Sequence, residues 1–244
     1  MRESKFQSRR RTAVKLMLGQ HGSEAGVGPE RLAALKSWSE HPWNFLTGVD
    51  PLTDKPIYWT KDEGDKITPI KKFPVDWEYI YHLSDVFVNE EIVVVEKARQ
   101  MFMTTFVLGM MFWDCLFHDA RRWLISKITE DDAIDLLRDK IRFPYSRLPP
   151  WFQGLYQASG TPSFRMDFSG TSSYIKAVAE NAAIGDLRGG TASGVLCDEA
   201  AFQRELPKIW AASTPMAAKI ILLTTTEVGN PGARWFRKLL MEQI

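Results

Sequence analysis

The sequence has no excess of charge of either sign: 31 Lys and Arg stand against 30 Asp and Glu, a formal net charge of +1. Bulk electrostatic attraction makes no case for nucleic-acid binding, so any DNA contact has to use a local patch. Arg9, Arg10, Arg11 and Lys15 form one candidate, and Arg121 with Arg122 another; each also reads as a solvated face or arm. Cysteine is scarce. Cys115 and Cys197 both lie in apolar surroundings, as small core residues of a reducing compartment do. His21, His41, His82 and His118 are scattered without metal-ligand spacing. No apolar signal core follows the basic N-terminus, which speaks against export. Met101 to Trp113 is apolar but too short for a bilayer, and Asp114 follows it, so no membrane contact is expected.

What is present suits one ordinary soluble domain: 244 residues, 45% hydrophobic and 25% charged. The stretch Glu91 to Thr105 organises the rest. Ile92 to Val95 are consecutive β-branched residues, the mark of a strand buried on both faces. A polar turn, Glu96 to Gln100, leads into the apolar run Met101 to Phe117, long enough for a buried helix. Strand, cationic turn and helix together place free backbone N–H groups and a helix N-terminus against a phosphate. Lys97 and Arg99 add charge, and Thr104 offers a hydroxyl to a metal ion. The pattern departs from GxxxxGK[ST]: Phe102 and Met103 stand where Gly and Lys would precede Thr104. The same stretch also reads as a buried strand, turn and helix with no ligand.

Met1 to Gly28 is polar and basic, an arm, and Pro29 to Ser39 can form a short helix. His41 to Pro74 is loop-rich, and Trp43, Phe45, Tyr58, Trp59 and Phe73 suggest a packed aromatic cluster, able to stack on an adenine but more simply core. A helix over Val75 to Asn89 leads to the first strand. Arg122 to Ile128 is a second strand, and Thr129 caps an acidic-started helix running to about Ile141. Ser163 to Phe168 and Tyr174 to Val178 form a hairpin or two short strands. A helix starts near Gln203, and Lys219 to Thr226 is another buried strand. Strands alternating with helices predict a mainly parallel sheet.

Three further features carry chemistry. Gly194 to Cys197 is an apolar strand delivering Asp198 and Glu199 at its carboxyl end, where ligands bind in open α/β sheets. The first carboxylate suits Mg²⁺ and the second an attacking water, although a solvated acidic strand end fits as well. Thr224, Thr225 and Thr226 put hydroxyls at a neighbouring strand end, where they can sense a γ-phosphate or express β-propensity alone. Arg188, flanked by Gly189 and Gly190, reads as an arginine on a flexible loop able to reach a neighbouring subunit's phosphate, or as a surface arginine.

Lys97-Ala98-Arg99-Gln100 with Thr104, then Val195 to Phe202 (VLCDEAAF), then Thr224 to Thr226, in that order, resemble the ATPase domain of a tailed-bacteriophage large terminase, the motor that packages DNA. PWNFLTG near Trp43 and IRFPYSRLPPW from Ile141 fit the same phrasing, so the likeness spans roughly residues 42 to 237. It implies a P-loop NTPase fold of ASCE type, a mainly parallel β-sheet flanked by helices, with residues 1–40 as arm and 41–244 as ATPase domain. It also implies that Lys97 takes the phosphate-binding role, in a cradle of Lys97, Ala98, Arg99, Gln100, Met101, Phe102, Met103, Thr104 and Thr105. Thr104 and Asp198 would hold Mg²⁺, Glu199 would orient the water, Arg188 would act as a finger, and Thr224, Thr225 and Thr226 would couple hydrolysis to movement.

The cofactors implied are ATP and Mg²⁺. The implied partners are double-stranded DNA, further copies in a pentameric ring, the portal protein and the small terminase subunit, in the host cytoplasm at the procapsid portal. The family's nuclease domain has no room after Thr226, so no nuclease activity is expected. A helicase-like P-loop motor and a scaffold domain with an inactive nucleotide site are the alternatives.

Overall fold

The runs rich in Val, Ile and Leu pair side by side rather than in sequence order. The structure, a computed structural model, describes residues 27–62, 64–98, 101–225 and 229–242. After helices α1 (Pro29–Glu40) and α2 (Pro42–Leu46), strands β1 (Trp59–Lys61) and β2 (Ile70–Lys72) form a small antiparallel hairpin. Helix α3 (Glu78–Asn89) leads to β3 (Ile92–Glu96), α4 (Met103–Phe117), β4 (Arg122–Lys127) and α5 (Glu130–Leu137). A π-helical turn (Arg138–Arg142), α6 (Phe143–Arg147) and α7 (Pro150–Leu155) precede β5 (Ala158–Ser159), β6 (Arg165–Phe168) and β7 (Ser173–Ala179). The chain closes with α8 (Glu180–Arg188), β8 (Gly194–Asp198), α9 (Leu206–Met216), β9 (Ile220–Thr224) and α10 (Pro231–Glu242).

The main sheet has the order β3-β9-β8-β4-β7-β6-β5. Its first five strands are parallel; β6 and β5 join antiparallel, as the expected hairpin. Strands β8 and β9 are buried along their whole length because helices cover both faces. Alternation along β9 sends Ile221 and Leu223 to one face and Ile220 and Leu222 to the other. The first face packs on α4, of which every residue except Thr104 is buried. Gly109 lets this helix settle on the aromatics, since a Cβ there would meet Leu46 Cδ2 at 2.9 Å and the Tyr58 hydroxyl at 3.1 Å.

Several expectations need correction. The β-branched run Ile92 to Val95 is not enclosed: among the described residues β3 is an edge strand, paired only with β9, and Ile92 is 47% exposed. Composition reports a strand whose faces pack, and says nothing of whether its second edge is paired. Helix α9 starts at Leu206 rather than near Gln203, because the Gln203 side chain is spent on other strands, as described below. Residues 29–40 are part of the packed body: Leu35 and Trp38 are buried, and Trp113 Nε1 donates to the Trp38 carbonyl at 2.8 Å. Arg9, Arg10, Arg11 and Lys15 lie outside the described residues. No helix among the described residues is long and apolar enough to cross a membrane.

Candidate active site

Parallel pairing brings four strand tips to one edge of the sheet. Glu96 pairs with Thr224, Leu223 with Asp198, and Cys197 with Ser126. The next backbone bond continues the first pairing, with Lys97 N donating to Thr224 O at 2.9 Å. Lys97, Thr225, Asp198 with Glu199, and Lys127 therefore leave the sheet side by side. Such an edge is where open α/β sheets bind ligands.

Helix α4 begins at the same edge. Its N-cap is Phe102 at φ +58°, ψ +3°, a left-handed conformation that suits glycine and costs a phenylalanine about 1 kcal/mol. The ring is turned aside, edge-on to Phe73 at 5.5 Å and Trp77 at 5.6 Å between centroids. Position 102 thus has the left-handed backbone that glycine favours, at the place where GxxxxGK[ST] loops carry glycine. Met103, where such loops carry lysine, is buried in the core. Thr104 faces the other way, and its Oγ1 donates to Asp198 Oδ1 at 2.9 Å. With no side-chain cap, the first N–H groups of α4 keep their affinity for an anion.

A cleft of about 870 Å³ opens here. Lys97, Met101, Phe102, Met103, Thr104, Thr105 and Asp198 line it, together with Lys61, Lys66, Trp77 and Lys140 and the β1–β2 loop. Cross-links fix that wall: Lys61 Nζ lies 3.1 Å from Asp139 Oδ1, Lys140 Nζ donates to the Lys61 carbonyl at 2.8 Å, and Lys71 bridges Asp62 and Asp65 at 2.8 and 2.9 Å. With four lysines set against Asp62, Asp65 and Asp198, and an uncapped helix N-terminus, the cleft can accept a polyanion such as a triphosphate.

The two carboxylates differ. Asp198 is 4% exposed, and burial pushes its pKa above the ordinary value. Lys127, the Thr104 hydroxyl and Lys97 pull it down without offsetting the burial, and Glu199 adds repulsion. Glu199 has 48% of its side chain exposed and sits at φ +55°, ψ +42°, again left-handed. Lys127 Nζ lies 3.0 Å from Glu199 Oε2 and 3.5 Å from Asp198 Oδ2. Burial lowers the affinity of Lys127 for its proton, but the carboxylates outweigh it and hold the ammonium above its usual pKa. Gln203 locks the tips together: its Nε2 donates to the Ser126 and Asp198 carbonyls at 2.9 Å each, and Ser126 Oγ donates to its Oε1 at 3.0 Å.

Thr104 and Asp198 supply one hydroxyl and one carboxylate in contact, a pair that fits Mg²⁺ with its other positions filled by phosphate and water. Among the described residues no group of three or more His, Cys, Asp or Glu converges on a metal position.

Other expected residues lie elsewhere. Arg99, Gln100 and Thr226 fall outside the described residues, and Ala98 is exposed next to the loop. Thr224 is buried; its Oγ1 accepts from Ala201 N at 3.2 Å and donates to the Thr225 carbonyl at 2.9 Å, tying β9 to the turn after Glu199. Thr224 and Thr225 line a separate cavity of about 190 Å³ against α10. Arg188 is not on a loop: it ends α8, which returns the chain from the carboxyl end of β7 toward the start of β8. It is exposed and is not among the residues lining the cleft. The helix forms through Leu187 because Ala183 and Leu187 bury one face of it. Of the aromatics weighed for adenine, Phe45 and Phe73 are core, and none of Trp43, Phe45, Trp59 and Phe73 lines the cleft; Trp77 does. Sequence reasoning missed Lys127, Gln203, Trp77 and the lysines at 61, 66 and 140. For Lys127 a signal was available: it is the charged residue closing the apolar run WLIS at a strand's carboxyl end.

No family profile matches the sequence, and no curated protein is significantly similar to it. Solved structures are. The HK97 bacteriophage large terminase superposes with a TM-score of 0.53 at 11% identity, over 84% of this chain and 41% of that one. A point mutant of the ATPase domain of the Thermus phage P74-26 large terminase gives 0.49 at 12% identity, over 66% of this chain and 67% of that one. The chain thus spans about two fifths of the HK97 protein's length. Its fold is that of a phage large-terminase ATPase domain, a P-loop NTPase fold with a mainly parallel sheet flanked by helices.

Proposed function

We propose that this chain is a Mg²⁺-dependent ATP hydrolase, the motor domain of a viral packaging machine that drives double-stranded DNA into a procapsid. The observation that carries the reading is the Thr104–Asp198 hydrogen bond at 2.9 Å, formed across 94 residues of sequence inside a lysine-lined cleft. The triphosphate would lie along the N-terminus of α4, with Lys97 neutralising its charge in place of the lysine missing at 103. Arg99 and Gln100 would complete the loop. Bound between Thr104 and Asp198, Mg²⁺ would supply Lewis-acid stabilisation of the phosphate oxygens. Glu199 takes the proton of the attacking water, and Arg188 of a neighbouring copy in a pentameric ring stabilises the charge that develops. Thr224 and Thr225, joined to the Glu199 turn through Ala201, carry the change at the carboxylates to α10. The portal protein and small terminase subunit would be the docking partners at the procapsid.

In steady-state assays Glu199→Gln should keep nucleotide binding and lower turnover by about a thousandfold. Turnover equal to the unmutated protein would remove the base from the mechanism. A second reading has its own observation. Burial of Met103 and the left-handed Phe102 fit a domain that retained the fold as a scaffold and lost hydrolysis. Absence of Mg²⁺-ATP hydrolysis in the assembled ring would favour it.

A further inference from the structure

We infer that the solvent face of α10, carrying Arg234, Arg237 and Lys238, is the surface that holds the phosphate backbone of the double-stranded DNA. The inference says where the partner of the proposed motor sits, and it rests on that reading. Its first ground is local composition. The chain as a whole is balanced, 31 basic residues against 30 acidic, yet Gly229 to Met241 holds three cations and no acid. Ala233, Phe236 and Leu239 bury the opposite side of the helix in the core on that face of the sheet. Spacing of i, i+3 and i+4 then sends all three cations outward together, and all three are exposed.

The second ground is how basic residues are used elsewhere. Arg121 is committed to Asp114, Lys61 to Asp139 and Lys176 to Asp186. Among the described residues Arg234 and Arg237 have no ion-pair partner. From Arg234 to Lys238 the helix rises about 6 Å, a length over which a duplex presents about three or four phosphates. Arginines and a lysine in a row along a helix are the groups that duplex backbones engage. The third ground is the link to the site. A Cβ at Gly232 would overlap the Gln203 carbonyl oxygen and lie 3.1 Å from that of Ala201, so the start of α10 rests directly on the turn after Glu199. Gln203 in turn holds the Asp198 carbonyl at 2.9 Å, and Asn230 Oδ1 caps the helix by accepting from Ala233 N at 2.8 Å. Displacement of that turn is passed to α10 by direct contact, and from α10 to whatever its outer face holds.

The test is fluorescence anisotropy of a short labelled DNA duplex titrated with the chain at NaCl concentrations from about 50 to 200 mM. The triple variant Arg234→Gln/Arg237→Gln/Lys238→Gln should bind at least about tenfold more weakly at low salt and lower the salt slope by about 2 to 3. A control triple, Lys36→Gln/Lys55→Gln/Lys72→Gln, removes the same charge from exposed positions elsewhere and should change affinity by less than about threefold. Arg234→Lys/Arg237→Lys keeps the charge and should stay within about threefold of the wild type. A loss in that lysine variant as deep as in the glutamine triple would mark a structural role and overturn the inference. Equal weakening in the two triples would mean that net charge alone attracts the duplex, and it overturns the inference too. So does wild-type affinity in the α10 triple, which would turn this face over to an acidic protein partner and leave the motor reading standing. A wild-type chain that binds no duplex at low salt removes DNA from the proposed function, and this inference with it.

Discussion

Two buried aspartates mark the two ends of the central helix, and they are built in opposite ways. Asp114, near the carboxyl end of α4, is 3% exposed; Trp123 Nε1 donates to its Oδ2 at 2.8 Å, and His118 Nδ1 and Arg121 Nε lie 3.0 and 3.3 Å from its Oδ1. Burial pushes its pKa up, but His118, Arg121 and Trp123 outweigh this and hold it below the usual carboxylate range. Asp198, beside the amino end of α4, is as buried but receives one hydroxyl and a shared lysine, and its pKa is raised. A carboxylate held by an imidazole, a guanidinium and an indole N–H is a structural strut. A buried carboxylate whose neighbours do not offset its burial costs stability until a cation arrives, which is what a metal-binding position requires.

That contrast is broken most severely at Asp198. Asp198→Asn should lower Mg²⁺-dependent turnover by about a thousandfold, a loss on the scale of removing one electrostatic stabiliser of the transition state. The same variant should raise the melting temperature of the nucleotide-free protein by about 2–4 °C, since a neutral amide replaces an ill-paired charge of about 1 kcal/mol. A fall in melting temperature would place Asp198 among the struts. Asp114→Asn should do the reverse. It strands His118 and Arg121, costs about 3 kcal/mol, and lowers the melting temperature by roughly 6–12 °C. Turnover at a temperature where both proteins are folded should be unaffected.

The pH dependence sharpens the comparison. Asp114 has a depressed folded pKa, so its contribution is fully present above the unfolded value of about 3.9 and is lost as pH falls through the folded value. Asp198 has a raised folded pKa, so its cost is absent below about pH 3.9 and grows to its full size as pH rises through the folded value. Chemical denaturation against pH should therefore show the stability gap of Asp198→Asn closing above about pH 4 on acidification. The gap of Asp114→Asn should close only below it. The smallest effect is expected at Phe102→Gly. Relief of the left-handed backbone, about 1 kcal/mol, nearly cancels the loss of ring contacts with Phe73 and Trp77, so stability by urea denaturation should stay within about 1 kcal/mol.

The parts of this molecule that were legible in the sequence are those governed by local rules. The strand Arg122–Lys127, the Thr129 cap with its bond from Asp132 N at 3.2 Å, and the buried helix all follow from β-branching, capping and apolar runs. The Asp198 strand tip could be placed because an apolar run ending in acids has a fixed direction. What depends on pairing order stayed hidden. Nothing in IVVVE says that β9 covers one of its edges and nothing the other, and nothing in WLISK says that its lysine lands against Asp198 and Glu199. Arg121, weighed as part of a DNA patch, is drawn into the Asp114 cluster by contacts made only after folding. Arg188 was read from its glycines as a loop residue, yet Ala183 and Leu187 carry the helix as far as its position.

The central claim is that Lys97 does the work of the lysine absent at 103, and calorimetric titration with Mg²⁺ and a non-hydrolysable ATP analogue tests it most directly. The account predicts one site per chain in the wild-type protein, and loss of the binding heat in Lys97→Ala while Met103→Ala retains it. Equal affinity in the wild-type and Lys97→Ala proteins, or no heat in the wild type, would contradict it.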